Sequence, residues 1–189
     1  MMDISVSKLD IAISWLLIGA IFFAMRSCEY LQTNIKEEDR RTKMLRVKNI
    51  KFKKKGKCLN INSKNLEKAD LVMITFEFQK NDWRSKSVHM FRTKDKLLCP
   101  VKAWAKVIER LRNTVDKFDG ETPVCAFHSK NETILILGDM VRSRLRTIVK
   151  IMGEENLEFL KEDIGLHLIR AGGQWQCSSQ AWSLATAKT

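Results

Sequence analysis

A chain of 189 residues, 44% apolar and 30% charged, is long enough to bury one core and has too ordinary a composition for a fibrous or disordered protein. The formal net charge of +12 is unusual and favours a polyanionic partner, either nucleic acid or an acidic membrane surface. Five scattered cysteines without a C-x-x-C pair argue against a disulfide framework. We therefore expect an intracellular, reducing location in the nucleus or cytoplasm.

The sequence offers little for a metal ion. Cys125 and His128 form a lone C-x-x-H motif. A structural zinc site needs four ligands, and no second pair is present to complete the set. We expect neither a metal nor another cofactor.

The most apolar stretch lies near the N-terminus, where Ile11 to Met25 contains fifteen residues and no charge. A membrane-spanning helix needs about 20 apolar residues, and neither a basic cluster nor a signal-peptide cleavage site flanks this stretch. The pattern predicts a buried helix over roughly residues 10–31, capped by Ser7 or Asp10, and no membrane partner. A peripheral membrane protein that uses the stretch is the alternative.

The apolar period changes to two after Lys43. Three segments, MLRVKNIKF (44–52), ADLVMITFEF (69–78) and SVHMFRT (87–93), alternate or are rich in β-branched and aromatic residues, which predicts antiparallel strands. Cations cluster on these strands and in the turns KKKGK and QKNDWRSK between them. The basic faces of the sheet are the expected nucleic-acid contacts, through Lys51, Lys53, Lys54, Arg84 and Lys86.

Helical spacing dominates the rest of the chain. Pro100 can occupy the first turn of a helix whose apolar residues recur as far as Leu111, and Gly138 opens another that runs to Met152. A short helix, a turn at Gly165 and the start of a further helix follow. The predicted fold class is α+β, mainly α, with a small three-stranded antiparallel sheet packed on helices.

Four cationic or imidazole side chains stand out by position: Arg26, Lys80, His167 and Arg170. Each of them can also be an ordinary structural residue. Arg26 and Glu29 have the spacing of an i,i+3 surface ion pair, and Lys80 is one lysine among many. His167 can be a hydrogen-bonded core residue, and the stem of Arg170 can lie along apolar surface with its charge in water.

Their order along the chain resembles the catalytic domain of the tyrosine recombinase/integrase family of mobile elements. FFAMRSCEY (22–30) is similar to the family's first arginine motif, FEFQKND (76–82) to its β-hairpin lysine, and IGLHLIRAGG (164–173) to its H-x-x-R box. The segments LLCPVKAWAKVIERL and TPVCAF are also similar to segments in recombinases of eukaryotic mobile elements. The resemblance covers roughly residues 8–173, so residues 1–173 are expected to form one incomplete catalytic domain.

The resemblance implies DNA recombination or integration on double-stranded DNA, by a homo-oligomer on DNA. Arg26 and Arg170 would clamp the oxygens of the scissile phosphate, because a planar guanidinium binds phosphate bidentately. His167 would donate a hydrogen bond or move a proton, and Lys80 would protonate the leaving 5′ oxygen. Glu29 would orient Arg26 from behind.

The family's nucleophile, a tyrosine after the H-x-x-R box, has no counterpart here, since the only tyrosine is Tyr30. Without it no covalent phosphotyrosyl intermediate forms in cis, which predicts a DNA-binding domain that is inactive alone. A tyrosine supplied in trans by another subunit, as in some family members, is the alternative. Residues 174–189 carry a single charge, Lys188, and do not resemble the family. We hypothesise a frameshift near Gly173, because a shifted frame of one possible codon set reads Ala-Met-Ala-Met-Phe, as relatives do. The alternative function is a non-catalytic basic nucleic-acid-binding module.

Overall fold

The computed structural model describes residues 7–34, 42–78, 84–129, 132–157 and 160–167. Its helices are α1 (Lys8–Phe22), α2 (Ser27–Tyr30), α3 (Pro100–Thr114), α4 (Gly138–Met152) and α5 (Glu154–Leu157). Its strands are β1 (Ile50–Lys54), β2 (Lys57–Cys58), β3 (Leu71–Phe78), β4 (Arg84–Phe91), β5 (Ala126–Ser129) and β6 (Glu132–Leu135). Within these ranges, none of the helices has the length and apolar character needed to cross a lipid bilayer.

Helix α1 begins as its sequence predicts. The Asp10 N–H donates to the Ser7 hydroxyl at 3.1 Å, and the Ser7 N–H donates to Asp10 Oδ2 at 3.1 Å. This reciprocal pair is a capping box, which satisfies two of the N–H groups that a helix start leaves without partners. Ser7 is therefore the N-cap.

The same helix ends nine residues before the predicted boundary, at Phe22. Ala24 has φ +48°, and its N–H donates to Ile21 O while the Met25 N–H donates to Ala20 O, both at 3.0 Å. These two bonds form a Schellman motif, in which the left-handed position is usually Gly. The prediction of one continuous helix over residues 10–31 is therefore wrong, because a tight reversal separates α1 from α2.

The strands form a four-stranded antiparallel sheet in the order β2-β1-β3-β4 and a separate β5-β6 hairpin. Helices and antiparallel strands are both present as expected, but the predicted three-stranded sheet is too small. The sequence does not reveal β2, because it has only two residues and follows a turn in which Lys55 and Gly56 have φ +49° and +77°. Two successive positive φ values are typical of a type I′ hairpin.

Two further differences concern short segments. Val47–Asn49, which lies inside the first predicted strand, forms a 3-10 helix, so β1 starts only at Ile50. The β5 and β6 strands have four residues each, too few to show a clear alternation in the sequence. The predicted helix from Pro100 is confirmed as α3, and the one from Gly138 as α4.

One connected core lies between the inner face of the sheet, α1 and α3. Helices α1 and α3 approach closely at Gly19, where a Cβ would lie 2.8 Å from Trp104 Cε2. Trp104 is fully buried and packs edge-on against Phe23, with 6.4 Å between ring centroids. This contact holds the end of α1 against the core. The turn that follows α1 is therefore anchored on its buried side.

Candidate nucleic-acid interface

The reversal after α1 brings Arg26 to the edge of the core. Met25 is fully buried, and Arg26 is the N-cap of α2. Glu29 Oε2 accepts the Arg26 N–H at 2.7 Å, and Glu29 Oε1 lies 3.6 Å from Arg26 Nη1. One carboxylate thus holds both the backbone and the guanidinium of Arg26.

The Arg26–Glu29 pair differs from an exposed surface pair in its burial. The side chain of Glu29 is 3% exposed and that of Arg26 is 25% exposed. The Leu45 N–H donates to Glu29 O at 2.8 Å, which ties α2 to the chain that leads into the sheet. A carboxylate this deep is costly unless it is paired, and Arg26 is one of its partners. Arg26 in turn keeps a quarter of its side chain accessible to an anion from solution.

Tyr30 directly follows this pair and is fully buried. Its hydroxyl has no hydrogen-bond partner among the residues that the structure describes. Burial raises the pKa of the phenol above its ordinary value, and the neighbouring Glu29 and Cys28 raise it further. A neutral, buried phenol cannot attack phosphorus, so Tyr30 is not a candidate nucleophile.

The segment that carries His167 packs at the start of α4. Ile164 and Leu166 are buried, whereas His167 is exposed. Leu166 Cδ1 lies 3.1 Å from the position that a Cβ on Gly138 would take, and the Gly138 N–H donates to Gln32 O at 3.3 Å. His167 therefore directly follows a residue, Leu166, that packs against Gly138. Gly138 is in turn hydrogen-bonded to Gln32, in the chain that follows α2.

Two of the four predicted catalytic residues, Lys80 and Arg170, lie outside the described residues. Arg26 and Glu29 are in contact, and the segment before His167 packs near the chain that follows them. The convergence of all four side chains on one phosphate stays a prediction.

The predicted DNA-binding cations of the sheet divide between its two faces. Strand alternation places Lys51 and Lys53 on the outer face of β1 and Lys54 on the face toward the core. Lys86 on β4 also belongs to the core-facing side, at an exposed end of that strand. The side chain of Arg84, the first residue of β4, lies outside what the structure describes. These cations therefore do not form a single basic surface.

Helix α4 carries a basic groove that none of the sequence-based expectations includes. The groove measures about 490 Å³, and basic and hydroxyl side chains dominate its lining: Asp139, Arg142, Ser143, Arg146, Thr147, Lys150 and Lys161. Among these described lining residues Asp139 is the single acid, and its Oδ1 lies 2.6 Å from Arg142 Nη1. Lys161 Nζ also lies 3.7 Å from Glu154 Oε1 and 3.6 Å from Glu162 Oε1, so the positive surplus of the groove comes mainly from the arginines and lysine of α4, which attract anions. The signal is visible in the sequence, because Arg142, Arg146 and Lys150 recur every four residues and so share one helix face.

The two side chains of the C-x-x-H motif, Cys125 and His128, contact different parts of the molecule. Cys125 Sγ lies 3.3 Å from Met44 Sδ in the core, whereas His128 Nδ1 lies 3.3 Å from Thr133 Oγ1 across the β5-β6 hairpin. In the described part of the chain, no three His, Cys, Asp or Glu residues are grouped so that they could hold a metal ion.

No protein-family model matches this chain, and neither the curated proteins nor the solved structures contain a match. Function must therefore be inferred from the residues of this chain. Membership of the tyrosine recombinase family stays a prediction.

Proposed function

We propose that this chain is a DNA-binding domain of the tyrosine recombinase type, which contacts a DNA phosphate through Arg26 and lacks the nucleophile for strand cleavage. The observation that carries the proposal is the buried Glu29 carboxylate, 3.6 Å from Arg26 Nη1. A guanidinium fixed from behind presents its remaining N–H groups as a planar fork, which suits two oxygens of one phosphate. The ion pair restrains the Arg26 side chain before a ligand arrives, which lowers the entropy cost of binding.

The α4 groove supports DNA binding from a second part of the molecule. Cations that neutralise phosphates release counterions and hold a duplex without regard to its sequence. In this proposal the groove supplies most of the affinity, while Arg26 fixes the position of one phosphate. The net charge of +12 favours the same partner.

We expect DNA binding without covalent capture. Preorganised cations stabilise the charge that builds on phosphate oxygens during transesterification. Strand breakage in this family also requires a tyrosine, and Tyr30 is fully buried. Incubation with nicked suicide substrates should therefore give no protein–DNA adduct on a denaturing gel.

The test of the Arg26 site is binding to a pool of random-sequence duplexes that carry one nick, with or without a 3′-phosphate. The wild-type protein should bind the phosphate-bearing pool about tenfold more tightly, since charge-assisted hydrogen bonds contribute about 1.5–3 kcal/mol. Arg26→Lys keeps the charge but loses the fork, so the preference should fall below about twofold. The matched control is Arg144→Lys, because Arg144 is an exposed arginine whose Nε lies 3.2 Å from Asp10 Oδ1. Equal binding of both pools by the wild-type protein would contradict the proposal.

A non-catalytic basic module is the second candidate, and the α4 groove favours it, since that groove needs nothing from Arg26. In that case the wild-type protein has no preference for the 3′-phosphate and Arg26→Lys binds duplex DNA as the wild type does. Removal of the charges of Arg146 and Lys150 would then abolish most binding.

A further inference from the structure

The outer face of the four-stranded sheet carries an arrangement that neither the Arg26 site nor the α4 groove uses. The strand register aligns two rows of side chains across this face, each with a lysine on β1, an aliphatic residue on β3 and a ring on β4. In that order the rows are Lys51–Met73–His89 and Lys53–Leu71–Phe91. We call these two rows the sheet platform.

The two rings of the platform face solvent. Phe91 is 63% exposed, and His89 is also exposed. Their centroids are 5.6 Å apart and their planes meet at 89°. The alternate residues of the same strand, Val88 and Met90, pack against the core, so β4 already has an apolar inner face. The exposed rings therefore add nothing to the core and are accessible to a partner.

The charge of the platform is positive. Lys51 is exposed and Lys53 is partly exposed. Two carboxylates at the ends of β3 are already hydrogen-bonded to other groups. Glu77 Oε1 accepts from Asn49 Nδ2 at 3.0 Å, and Asp70 Oδ2 accepts the Lys55 N–H at 2.6 Å. An anionic ligand therefore complements this face.

We infer that the sheet platform binds single-stranded nucleic acid, with bases stacked on Phe91 and His89 and phosphates near Lys51 and Lys53. Unpaired bases stack on exposed aromatic side chains, whereas a duplex keeps its bases inside its own stack. Neighbouring strands are about 4.8 Å apart, so β1 and β4 are separated by roughly 10 Å. A nucleotide can bridge this width, with its base on a ring and its phosphate at a lysine. The inference does not rest on the proposed function, because it uses none of the same residues.

The test uses the full chain and labelled 12-nucleotide ligands: oligo-dT, oligo-U and a duplex of equal length. The wild-type protein should bind both single strands. Phe91→Ala/His89→Ala should weaken that binding about tenfold and change duplex binding less than about twofold, because stacking on each ring acts only on unpaired bases. Phe91→Trp keeps a ring and should retain single-strand binding. Comparing oligo-dT with oligo-U identifies DNA or RNA as the natural source, and binding of either supports the inference.

Two controls distinguish base stacking on the platform from a general loss of apolar surface or of positive charge. Leu97 is 67% exposed and lies outside the sheet, so Leu97→Ala should leave all three affinities unchanged. Arg146→Gln/Lys150→Gln should weaken duplex binding and spare the single strands, which makes failure of the platform distinguishable from failure of the proposed function. The inference is overturned if the wild-type protein binds no single strand, or if Phe91→Ala/His89→Ala weakens duplex and single strand equally. It is also overturned if that variant changes only self-association in sedimentation, because the platform is then an interface between copies of the chain.

Discussion

The turn at Arg26 and the groove of α4 hold their cations in opposite ways. Arg26 is mostly buried and has one carboxylate, whose two oxygens meet its N–H at 2.7 Å and its guanidinium at 3.6 Å. The α4 groove is open, and Asp139 is the single acid beside Arg142, Arg146 and Lys150 in its lining. Arg26 is therefore restrained by burial and by its ion pair, whereas the groove offers charge on side chains that remain solvated.

This difference separates positioning from affinity. A restrained guanidinium binds one phosphate at a defined position, and its side chain loses little conformational entropy on binding. Solvated lysines and arginines contribute through counterion release, which depends on their number and on the salt concentration. Variants in the two regions should consequently differ in protein stability, in salt dependence and in preference for a nick.

The largest effect is expected from Arg26→Ala, which removes the guanidinium that lies beside the buried carboxylate of Glu29. Breaking a buried pair costs about 3–5 kcal/mol, and the partial exposure of Arg26 reduces our expectation to about 2 kcal/mol of unfolding free energy. Urea denaturation would measure it as a lower midpoint with an unchanged slope. The double variant Arg26→Ala/Glu29→Gln should recover more than half of the loss. A loss below about 0.5 kcal/mol for the single variant would place the pair with ordinary surface pairs.

The next effect concerns the groove. Arg146→Gln/Lys150→Gln should reduce the slope of log K against log salt by about two, because each neutralised phosphate contributes close to one. Stability should change by less than about 0.5 kcal/mol, since these are surface positions. Binding of a random-sequence duplex from low to moderate salt is the measurement. An unchanged slope would remove the groove from the interface.

A smaller effect is expected at Ala24, whose φ of +48° forms the turn before Arg26. The left-handed conformation costs a residue with a Cβ about 1–2 kcal/mol, and glycine loses part of that gain to its unfolded-state entropy. Ala24→Gly should therefore raise stability by about 0.5–1 kcal/mol. Lys55→Gly, at φ +49° in the distant β1-β2 turn, is the matched control and should give a similar gain. A destabilised Ala24→Gly variant with a stabilised Lys55→Gly variant would show that the Ala24 methyl packs usefully.

Much of the fold could be predicted because its signals are local. Pro100 marks the start of α3, the Lys55-Gly56 turn stands out by composition, and the strand β3 is rich in β-branched and aromatic residues. The end of α1 could not, because the left-handed position holds Ala24 and the usual glycine signal is missing. Tertiary contacts decide that boundary, through Phe23 and Trp104.

The candidate site could be predicted only in part, because tertiary contacts also decide how its residues are buried. The spacing of Arg26 and Glu29 is visible, but their burial depends on how α2 packs against the chain before the sheet. The cations of β1 are visible, and their division between two faces follows from the alternation of the strand, in which Ile50 and Phe52 are buried. The α4 groove was readable from a period of four, and the rows of the sheet platform required the register between β1, β3 and β4.

The smallest effect is expected for Glu77. Its side chain is 32% exposed, so it is less buried than Glu29 and less solvated than Asp139 in the α4 groove. The hydrogen bond from Asn49 and then the charge of Lys48 lower the pKa of this carboxyl from its ordinary value of 4.5. A carboxyl whose pKa is lower in the folded state stabilises the protein above its unfolded pKa, and this contribution is lost as the pH falls through the folded value. Glu77→Gln should therefore flatten the loss of stability below about pH 4.5, which urea denaturation at about pH 7, 4.5 and 3 would measure. The change at pH 7 should stay below about 1 kcal/mol, since Lys48 and Glu77 are both partly exposed.

Glu121→Gln provides the control, because Glu121 also pairs with Lys48 but is 60% exposed. An equal change in the acid limb of both variants would mean that Lys48, and not the bond from Asn49, sets the titration of Glu77.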